Sequence, residues 1–496
     1  MITIEINNVY GKIIDHLTID QLTIIQQECQ FKVEGADFKQ YAFRTKRRGG
    51  FEWDGYKKLF NIQTRRFPIG LLDRVVNLFE KNGVQVNIIN KRKIDRDFYY
   101  YDHDPSFLRN YQHECVLQSV IHGNGIVKVA TGGGKTVIAG CTIGALGKKS
   151  IFIVHTRDLL YQAKESFQRL FPDENIGQIG DGVIDYQDIT VATMQTLAIL
   201  GGVETGSNSY DEESSNDEQK IEADDRRRKE FAAYAKAVQC VMMDEVQIVC
   251  SQTAYAVRFL FEYANYAFGY SASPWRDDGS DLMIEGAFGK RIIDITASFL
   301  IKQGYLIKPI IEIHDTCYDT SNQPTKYVEV YKKFIVENIA RNMQVVNDAI
   351  SEYNNGKNTL ILVTQIKHGE ELQNIMSAMG VPVSFISGKS GMKRRKQAIQ
   401  DMRDGKIQIL IATTIADVGL DIPRLESLIE AGAGKSSVTA LQRLGRIMRL
   451  FDGKSSCKFI TYDDHVRYLS EHIKRKIEIW STEEEFIIRR NYYASM

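Results

Sequence analysis

Short apolar runs alternate with helical patterns in two separate series along the chain. In the first series the apolar runs are residues 126–130, 150–154, 189–192 and 238–243. In the second series, from about residue 300 onward, they are residues 359–364, 383–387, 407–412, 427–431 and 457–461. Strands that alternate with helices predict parallel sheets with helices on both faces. We therefore predict an α/β chain with two similar parallel-sheet domains in tandem, at residues 98–297 and 298–496.

Residues 1–97 precede both series and differ from them in charge. The whole chain balances 63 Lys and Arg against 63 Asp and Glu, but residues 1–100 hold 17 basic and 12 acidic side chains. The basic residues cluster at 44–48, 57–58, 65–66 and 91–93, with aromatic side chains between them. Such a mixture suits phosphate contacts and base stacking. We predict a small α+β DNA-binding domain with Lys57 and Lys58 among its contacts. A solvated basic face explains the same composition.

One stretch interrupts the first series. Residues 201–225 hold nine acidic side chains and one lysine, and four basic residues follow at 226–229. A segment with so few apolar side chains cannot bury enough surface to order itself, so residues 201–229 are predicted to be a mobile acidic surface loop. A role as an acidic DNA mimic that shields a basic groove is the functional alternative.

The cysteines and the apolar pattern bear on the compartment. Seven cysteines are scattered along the chain without a Cys-x-x-Cys pair, which favours reduced thiols over a disulfide framework or a zinc site. The sequence has no run of about 18 apolar residues, and its first residues lack the order of a signal peptide. We expect a soluble, cytoplasmic protein (in the host cytoplasm if it is viral) that does not associate with membranes.

The strongest local motif is VATGGGKT at residues 129–136, between an apolar run and a helical pattern at 137–146. This context is the one that a phosphate-binding loop requires. Glycine lets backbone N–H groups approach phosphate oxygens at a helix N-terminus, lysine neutralises them, and a hydroxyl can hold Mg²⁺. A glycine-rich turn with a surface lysine is the alternative, since Val129 replaces the first glycine of the usual pattern. The nucleotide-binding candidates are Thr131, Gly132, Gly133, Gly134, Lys135 and Thr136.

A carboxylate pair follows the apolar run at 238–243. An aspartate at a strand tip, here Asp244, can hold Mg²⁺, and Glu245 beside it can orient or deprotonate an attacking water. Adjacent carboxylates by themselves usually belong to a solvated loop. Their place after a buried strand and downstream of the phosphate loop favours the functional interpretation, with ATP and Mg²⁺ as the cofactors.

In order along residues 108–449, these motifs resemble those of superfamily-2 nucleic-acid helicases and translocases. The segment 108–112 resembles the element that contacts adenine, with Arg109 and Gln112. The segments 154–162 and 191–196 are similar to motifs Ia and Ic, which touch the nucleic-acid backbone through Thr156, Arg157 and Thr193. The segments 244–247 and 270–276 are similar to motifs II and III. There the resemblance implies that Gln247, at a position where relatives commonly have His, couples with Ser271 and Ser273.

The second domain continues the resemblance. The segment 362–365 lies where motif IV belongs, with Thr364, and 411–423 is a long match to motif V, with Thr413 facing phosphate and Gly419 and Asp421 near the nucleotide. The segment 442–449 is similar to motif VI, which implies Gln442, Arg446 and Arg449 as catalytic residues and the two arginines as fingers on the γ-phosphate. The segment 429–436 imitates a second phosphate loop, but it leads directly into motif VI and we interpret it as a connector.

Within the superfamily, the small N-terminal domain and the segments 50–59 and 66–71 resemble the bacteriophage branch-migration helicases of the UvsW type. This resemblance implies remodelling of forks and Holliday junctions in recombination, replication or repair by a monomer that acts on branched or duplex DNA, with replication or recombination proteins as partners. Three alternatives stay open: the duplex translocase subunit of a restriction system, an RNA helicase, and a catalytically idle scaffold on the same fold.

Overall fold

The computed structural model describes residues 1–33, 36, 54–93, 98–102, 104–203, 218–274, 279–316, 318–413, 424–433 and 437–491. The chain divides into two compact units. The first contains residues 1–129 and 134–294, and the second contains residues 130–133 and 295–496. Across the described ranges, every helix is too short or too polar to cross a lipid bilayer.

The N-terminal segment forms a four-stranded sheet with two helices and a separate two-stranded ribbon. Isoleucines at alternate positions of β1 are buried, as the two-residue period of a half-buried strand requires. The sheet order is β5-β2-β1-β6, in which β1 is antiparallel to β2 and parallel to β6. The elements are β1 (Ile2–Ile6), β2 (Tyr10–Ile13), α1 (Ile19–Glu28), β3 (Gln30–Lys32), β4 (Tyr56–Lys58), β5 (Arg66–Pro68), the 3₁₀ turn Ile69–Leu71, α2 (Leu72–Lys81) and β6 (Val86–Asn90).

The rest of the first unit is an eight-stranded sheet flanked by helices, in the order β10-β9-β11-β8-β12-β13-β7-β14. Strands β9, β11, β8, β12, β13 and β7 run parallel. The elements are α3 (Asn110–His122), β7 (Asn124–Val129), α4 (Lys135–Leu146), β8 (Ser150–Val154), α5 (Arg157–Leu170), β9 (Ile176–Gly180), β10 (Val183–Asp185), β11 (Ile189–Thr193), α6 (Met194–Leu200), α7 (Glu218–Ala237), β12 (Cys240–Asp244), the 3₁₀ turn Val246–Cys250, α8 (Gln252–Arg258), β13 (Tyr266–Ser271), α9 (Asp281–Phe288) and β14 (Arg291–Ile295).

Within this unit the N-terminal domain packs against α9. Leu282 of α9 is buried among the apolar side chains of the N-terminal domain. The guanidinium of Arg74 donates to both carboxylate oxygens of Glu285, at 3.1 and 2.7 Å. A Cβ on Gly70 would lie 2.0 Å from the carbonyl oxygen of Glu285, so only glycine allows this approach.

The second unit holds a seven-stranded sheet in the order β17-β18-β16-β19-β20-β15-β21, whose neighbouring strands are all parallel. The elements are α10 (Ala297–Lys302), β15 (Pro309–Asp315), α11 (Tyr327–Tyr331), the π-helical turn Lys332–Val336, α12 (Ile339–Asn354), β16 (Thr359–Val363), α13 (Ile366–Ala378), β17 (Val383–Ile386), α14 (Met392–Arg403), β18 (Ile409–Thr413), β19 (Ser427–Glu430), α15 (Ser437–Ile447), β20 (Cys457–Asp463), α16 (Leu469–Trp480) and β21 (Ile487–Asn491). The predicted α/β class, with two RecA-like parallel sheets after a small α+β domain, is confirmed.

The predicted mobile loop at 201–229 is wrong for its second half. Helix α7 begins at Glu218 and continues to Ala237, so it includes residues 218–229. Glutamate, lysine, arginine and alanine, which dominate this stretch, are strong helix formers. Phe231 and Tyr234 at its end are buried in the core of the domain, which anchors the helix. Residues 204–217 of the acidic stretch lie outside the described residues.

Candidate nucleotide-binding site

The predicted phosphate loop lies between the end of β7 and the beginning of α4 at Lys135, where the sequence placed it. Gly132 and Gly134 have φ angles of +88° and +80°, a conformation that other residues rarely adopt. A Cβ on Gly134 would also lie 2.5 Å from Nε2 of Gln112. The loop therefore needs glycine at these positions for its backbone and, at Gly134, for the close approach of Gln112.

Gln112 belongs to the first turn of α3 and is buried. Its Oε1 atom accepts a 3.0 Å hydrogen bond from the backbone N–H of Arg109, and the Arg109 guanidinium donates to the hydroxyl of Tyr111 at 3.3 Å. These contacts fix the amide of Gln112 against the N-terminus of α4. The structure thus places Gln112 next to Gly134, and the sequence assigned both residues to the nucleotide. The contact of Gln112 with adenine stays a prediction.

The carboxylate pair lies at the end of β12. Lys135 Nζ is 3.5 Å from Glu245 Oε1, and both side chains are largely shielded from solvent. Glu245 has φ +48° and ψ +57°, a left-handed conformation that costs about 1–3 kcal/mol in a residue other than glycine. Such strain persists where surrounding contacts hold it, and here it turns the carboxylate toward the phosphate-loop lysine.

The two carboxylates have pKa shifts in opposite directions. Burial and the neighbouring Glu245 carboxylate raise the pKa of Asp244, against the effect of Lys135. Burial by itself also raises the pKa of Glu245, but Lys135, the Gln247 amide and His155 lower it, and the net shift is downward. Glu245 is therefore the member of the pair that ionises first as the pH rises. Opposed shifts of this kind are how adjacent acids take different roles.

The residues present suit a divalent cation. Oδ1 of Asp244 is buried and has no hydrogen-bond partner within the described part of the chain, so it is an acceptor in need of a ligand. A bound cation would reverse the upward pKa shift of this carboxyl group. The Thr136 hydroxyl belongs to the first turn of α4, where the sequence predicted a second oxygen ligand.

A chain of hydrogen bonds joins the Glu245 carboxylate to β13. Nε2 of Gln247 donates to Glu245 Oε2 at 2.9 Å, and the Ser271 hydroxyl donates to Oε1 of Gln247 at 2.7 Å. The backbone N–H of Ser273 then donates to Ser271 Oγ at 3.0 Å. The glutamine thus makes the contacts expected of the coupling residue. Trp275 and Arg276 of motif III lie outside the described residues.

The predicted nucleic-acid contacts of the first unit differ in exposure. Arg157 is exposed and pairs with Asp181 at 3.0 Å, and Thr156 caps α5 by accepting from the backbone of Leu159. Thr193 is buried, and its hydroxyl is 2.9 Å from that of Thr196. In the N-terminal domain Lys57 is half-buried and Lys58 pairs with Asp54 at 2.5 Å.

In the second unit, Thr364 is exposed at the end of β16. Thr413 is buried, and its hydroxyl has no hydrogen-bond partner among the residues that are described. Gly419 and Asp421 lie outside the described residues, as do residues 434–436 of the imitation phosphate loop. The phosphate contacts of Thr156, Arg157, Thr193, Thr364, Thr413, Lys57 and Lys58 stay predictions.

Motif VI lies on α15 and the turn after it. Gln442 and Arg446 belong to the helix, whereas Arg449 follows its end and pairs through a β-bridge with Leu306. Sequence reasoning missed the residue between the two predicted catalytic positions of the helix, Arg443, which is buried and forms an ion pair with Glu430 of β19. An acid inside an apolar run was the available signal, because a buried charge needs a partner.

Two family models match the chain. The model described as "Type III restriction enzyme, res subunit" matches residues 106–274, and "Helicase conserved C-terminal domain" matches residues 341–451. The predicted helicase 22 of Sulfolobus islandicus filamentous virus is 27% identical over 374 residues, covering 70% of this chain and 62% of the relative. The DNA 3'-5' translocase XPB2 of Sulfurisphaera tokodaii is 24% identical over 391 residues, covering 70% of this chain and 79% of that protein.

Two solved structures are also similar to the chain. The ATP-dependent Type ISP restriction-modification enzyme LlaBIII, bound to DNA, aligns with 79% of this chain and 32% of its own at 14% identity and a TM-score of 0.55, which shows a shared fold. T4 UvsW aligns over 99% of both chains at 18% identity and a TM-score of 0.43. The chain spans less than two thirds of the viral relative's length.

Proposed function

The chain belongs to the superfamily-2 nucleic-acid helicases, and from this premise we propose that it is an ATP-hydrolysing DNA helicase or translocase that unwinds or branch-migrates forks and Holliday junctions. The observation that carries the proposal is the 3.5 Å contact between Lys135 and Glu245. It joins a phosphate-loop cation to a strand-tip carboxylate, and these are the two groups that hydrolysis of a phosphoanhydride by water requires.

The proposed reaction divides the work among the residues of the first unit. Lys135 neutralises the β- and γ-phosphate oxygens of ATP, and its ammonium also keeps Glu245 ionised. Glu245 orients the attacking water and accepts its proton. Thr136 and Asp244 would hold Mg²⁺, which when bound neutralises phosphate charge and fixes the phosphate geometry.

Motif VI completes the proposed catalytic set. Arg446 and Arg449 would stabilise the charge that develops on the γ-phosphate, as arginine fingers. Gln442 is proposed to belong to the same site. When the γ-phosphate leaves, the two arginines lose their charge partner. Motor movement follows if nucleic-acid backbone contacts on both domains alternate with this cycle.

The choice of DNA over RNA rests on two observations. One relative is named as a DNA 3'-5' translocase, and the N-terminal domain contains basic clusters that suit phosphates, with Lys57 and Lys58 among them. Contacts to the phosphate backbone are mostly blind to sequence, so we expect binding that is non-specific and weakens with salt.

A second candidate function is duplex translocation of the restriction-system type. It is favoured by the family model for the res subunit, which matches residues 106–274. This candidate uses the same ATP site, and only the nucleic-acid substrate separates the two.

The test is the rate of ATP hydrolysis by the purified protein without nucleic acid and then with single-stranded DNA, linear duplex, a four-way junction and RNA, all at one salt concentration. We expect the largest stimulation from the junction, and the Lys135→Ala variant serves as the blank. Equal stimulation by linear duplex would favour the translocase, and a preference for RNA would refute the DNA assignment. Absence of ATP hydrolysis with every nucleic acid would refute the proposal that the protein is an ATP-hydrolysing enzyme.

A further inference from the structure

A buried ammonium group holds the turn that carries Arg449. The side chain of Lys454 follows this turn and is 8% exposed. Its Nζ atom donates to the carbonyl oxygens of Leu425 at 2.6 Å, of Arg449 at 3.2 Å and of Ile447. An ammonium group has three N–H donors, and these three carbonyls account for all of them.

These contacts fix consecutive peptide groups at the end of α15. The last carbonyls of a helix have no partner inside the helix. Here the carbonyl of Ile447 accepts from Lys454, that of Met448 accepts from the backbone N–H of Ile307 at 2.8 Å, and that of Arg449 again accepts from Lys454. The backbone between Arg446 and Arg449 is therefore held on successive peptides.

Burial of the Lys454 ammonium costs free energy, which argues that this side chain does more than fill space. The hydrogen-bond acceptors of Lys454 are carbonyl dipoles, and burial of a charge is unfavourable unless its new partners replace water. An apolar side chain of similar length would avoid that desolvation cost. What the ammonium provides, and a methionine could not, is a positive charge at a helix C-terminus and a link between the end of α15 and the segment before β19.

We propose that Lys454 is a positioning residue for the arginine fingers, setting the backbone from which Arg446 and Arg449 reach the γ-phosphate. The inference rests on the proposed function, because it requires ATP hydrolysis and a finger role for Arg449. A misplacement of about 1 Å in a catalytic group can cost roughly 100-fold in rate. Lys454 would thus act on kcat without contacting ATP.

The experiment compares steady-state ATP hydrolysis, at saturating DNA, of the full chain and of Lys454→Met, with Lys454→Arg as the conservative variant. We expect kcat of Lys454→Met to fall by at least about 10-fold with KM for ATP unchanged, since only a transition-state interaction is lost. Lys454→Arg keeps the charge and several donors and should recover most of the rate. If the near-UV circular dichroism of Lys454→Met shows that the variant has lost its tertiary packing, kcat and KM are measured on Lys454→Gln instead.

The matched control is Lys458→Met. The ammonium of Lys458 pairs with Glu352 at 2.7 Å, on α12 of the same domain. We expect this variant to lose stability but to keep kcat. An equal fall of kcat in both variants, or a folded Lys454→Met with wild-type kcat, would overturn the inference.

The pH profile supplies a readout that a purely structural role would not move. Burial lowers the pKa of Lys454 to about 8, with Cys457 and Glu426 raising it and Lys357 and Arg449 lowering it. Wild-type kcat should therefore decline as the pH rises through about 8, and the decline should be absent in Lys454→Arg. The same decline in Lys454→Arg would contradict the assignment.

Two further variants separate the inference from its premise. Lys454→Met added to the double variant Arg446→Ala with Arg449→Ala should slow hydrolysis no further, because both groups that Lys454 positions are then absent. A wild-type protein without ATP hydrolysis would overturn both the proposed function and this inference. If the wild type hydrolyses ATP and Arg449→Ala is equally fast, the finger role fails, and with it the role of Lys454.

Discussion

The hydroxyl of Ser271 donates a 2.7 Å hydrogen bond to Oε1 of Gln247, whose amide nitrogen donates in turn to Glu245 at 2.9 Å. Parallel pairing of β12 with β13 places Asp244 opposite Tyr270 and so brings the two motifs side by side. A change in the hydrogen bonding of Glu245 during hydrolysis can therefore reach β13 through two bonds. These two hydrogen bonds are the contacts through which we predict that motifs II and III are coupled.

The first prediction concerns this link. Gln247→Leu removes both hydrogen bonds while keeping the volume, so ATP hydrolysis should persist, reduced by less than about 10-fold, while strand separation per ATP falls much further. Gln247→His, the residue that relatives commonly have, should keep the coupling because imidazole can also donate and accept. Parallel measurement of phosphate release and of fluorescence-detected unwinding tests this. A Leu variant with unchanged unwinding per ATP would refute the coupling role.

The second prediction concerns the phosphate loop. Lys135→Ala should lower kcat for ATP hydrolysis by at least about 100-fold, since it removes the cation that faces the transferred phosphate. Gly134→Ala should also impair hydrolysis, because its Cβ would lie 2.5 Å from the Gln112 amide and because φ is +80° there. Phosphate-release kinetics measure both variants. A matched control is Lys128→Ala on β7, whose ammonium pairs with Asp294 at 3.0 Å and which should keep the wild-type rate.

The third prediction concerns the joint between the N-terminal domain and α9. Arg74 pairs with Glu28 of α1 as well as with Glu285, each at 2.7 Å. Arg74→Glu therefore brings three carboxylates together, so the midpoint of thermal unfolding should fall by several degrees. The double variant Arg74→Glu with Glu285→Arg restores the opposite charges and should recover part of the loss. Differential scanning calorimetry of the two single variants and the double variant measures this coupling. A double variant no more stable than Arg74→Glu would show that the pair contributes little.

The fourth prediction is a dependence of stability on pH. Burial lowers the pKa of His314, but the Asp348 and Glu312 carboxylates raise it, to a net value of about 9 against 6.5 for the free side chain. Nδ1 is 3.0 Å from Asp348, to which Tyr462 also donates, and Asn491 lies 3.2 Å from Nε2. Because the folded pKa is raised, the stabilisation is fully present below about pH 6.5 and is lost as the pH rises through about 9.

The shift corresponds to about 3 kcal/mol of stabilisation at low pH. His314→Gln should therefore remove most of the fall in unfolding free energy between pH 6.5 and 9. Urea unfolding at several pH values measures the difference between the two proteins. Parallel pH curves for wild type and variant would assign the effect to other groups.

Much of the fold follows from local pattern. The apolar runs at 150–154 and 427–431 became strands within one residue of their predicted bounds, because a strand buried on both faces is a continuous apolar run. The phosphate loop and the carboxylates after β12 were located because their spacing is a property of strand–turn–helix geometry. The resemblance to superfamily-2 helicases, predicted from the order of these motifs, is confirmed by the two family models.

What the sequence did not reveal depends on contacts between distant segments. The acidic stretch was predicted to be unstructured from its charge, yet its second half is helical because Phe231 and Tyr234 anchor α7 in the core. The need for glycine at position 70 arises from α9, about 215 residues later in the chain. Arg443 gave no local sign of burial, since its partner Glu430 lies on β19 of the folded second sheet. The burial of Lys454 likewise depends on a distant segment, because one of its three acceptors is the carbonyl of Leu425.

The last prediction concerns the buried charges between β19 and the helix of motif VI, α15. Glu430 is 1% exposed and pairs with Arg443 of α15 and with Lys476 of α16, and Thr461 donates to it at 3.0 Å. Glu430→Gln leaves two buried cations with a neutral amide, and removal of one member of a buried ion pair typically costs about 3–5 kcal/mol. The matched control is Glu426→Gln. Glu426 pairs with Lys357 at 2.9 Å, and both side chains are more exposed than the Glu430 cluster. We expect this variant to lose less than about 1 kcal/mol of unfolding free energy.

Urea unfolding of both variants gives the free-energy differences, and ATP hydrolysis on the folded fraction gives their effect on the site. Because Arg443 is one turn from Arg446 on the same helix, loosening Glu430 should also lower kcat. A Glu430→Gln variant as stable as wild type would mean that the attraction among the three charges only just offsets the free energy of burying them. In that case α15, which carries Arg446, would be held by its apolar face and by Lys454 instead.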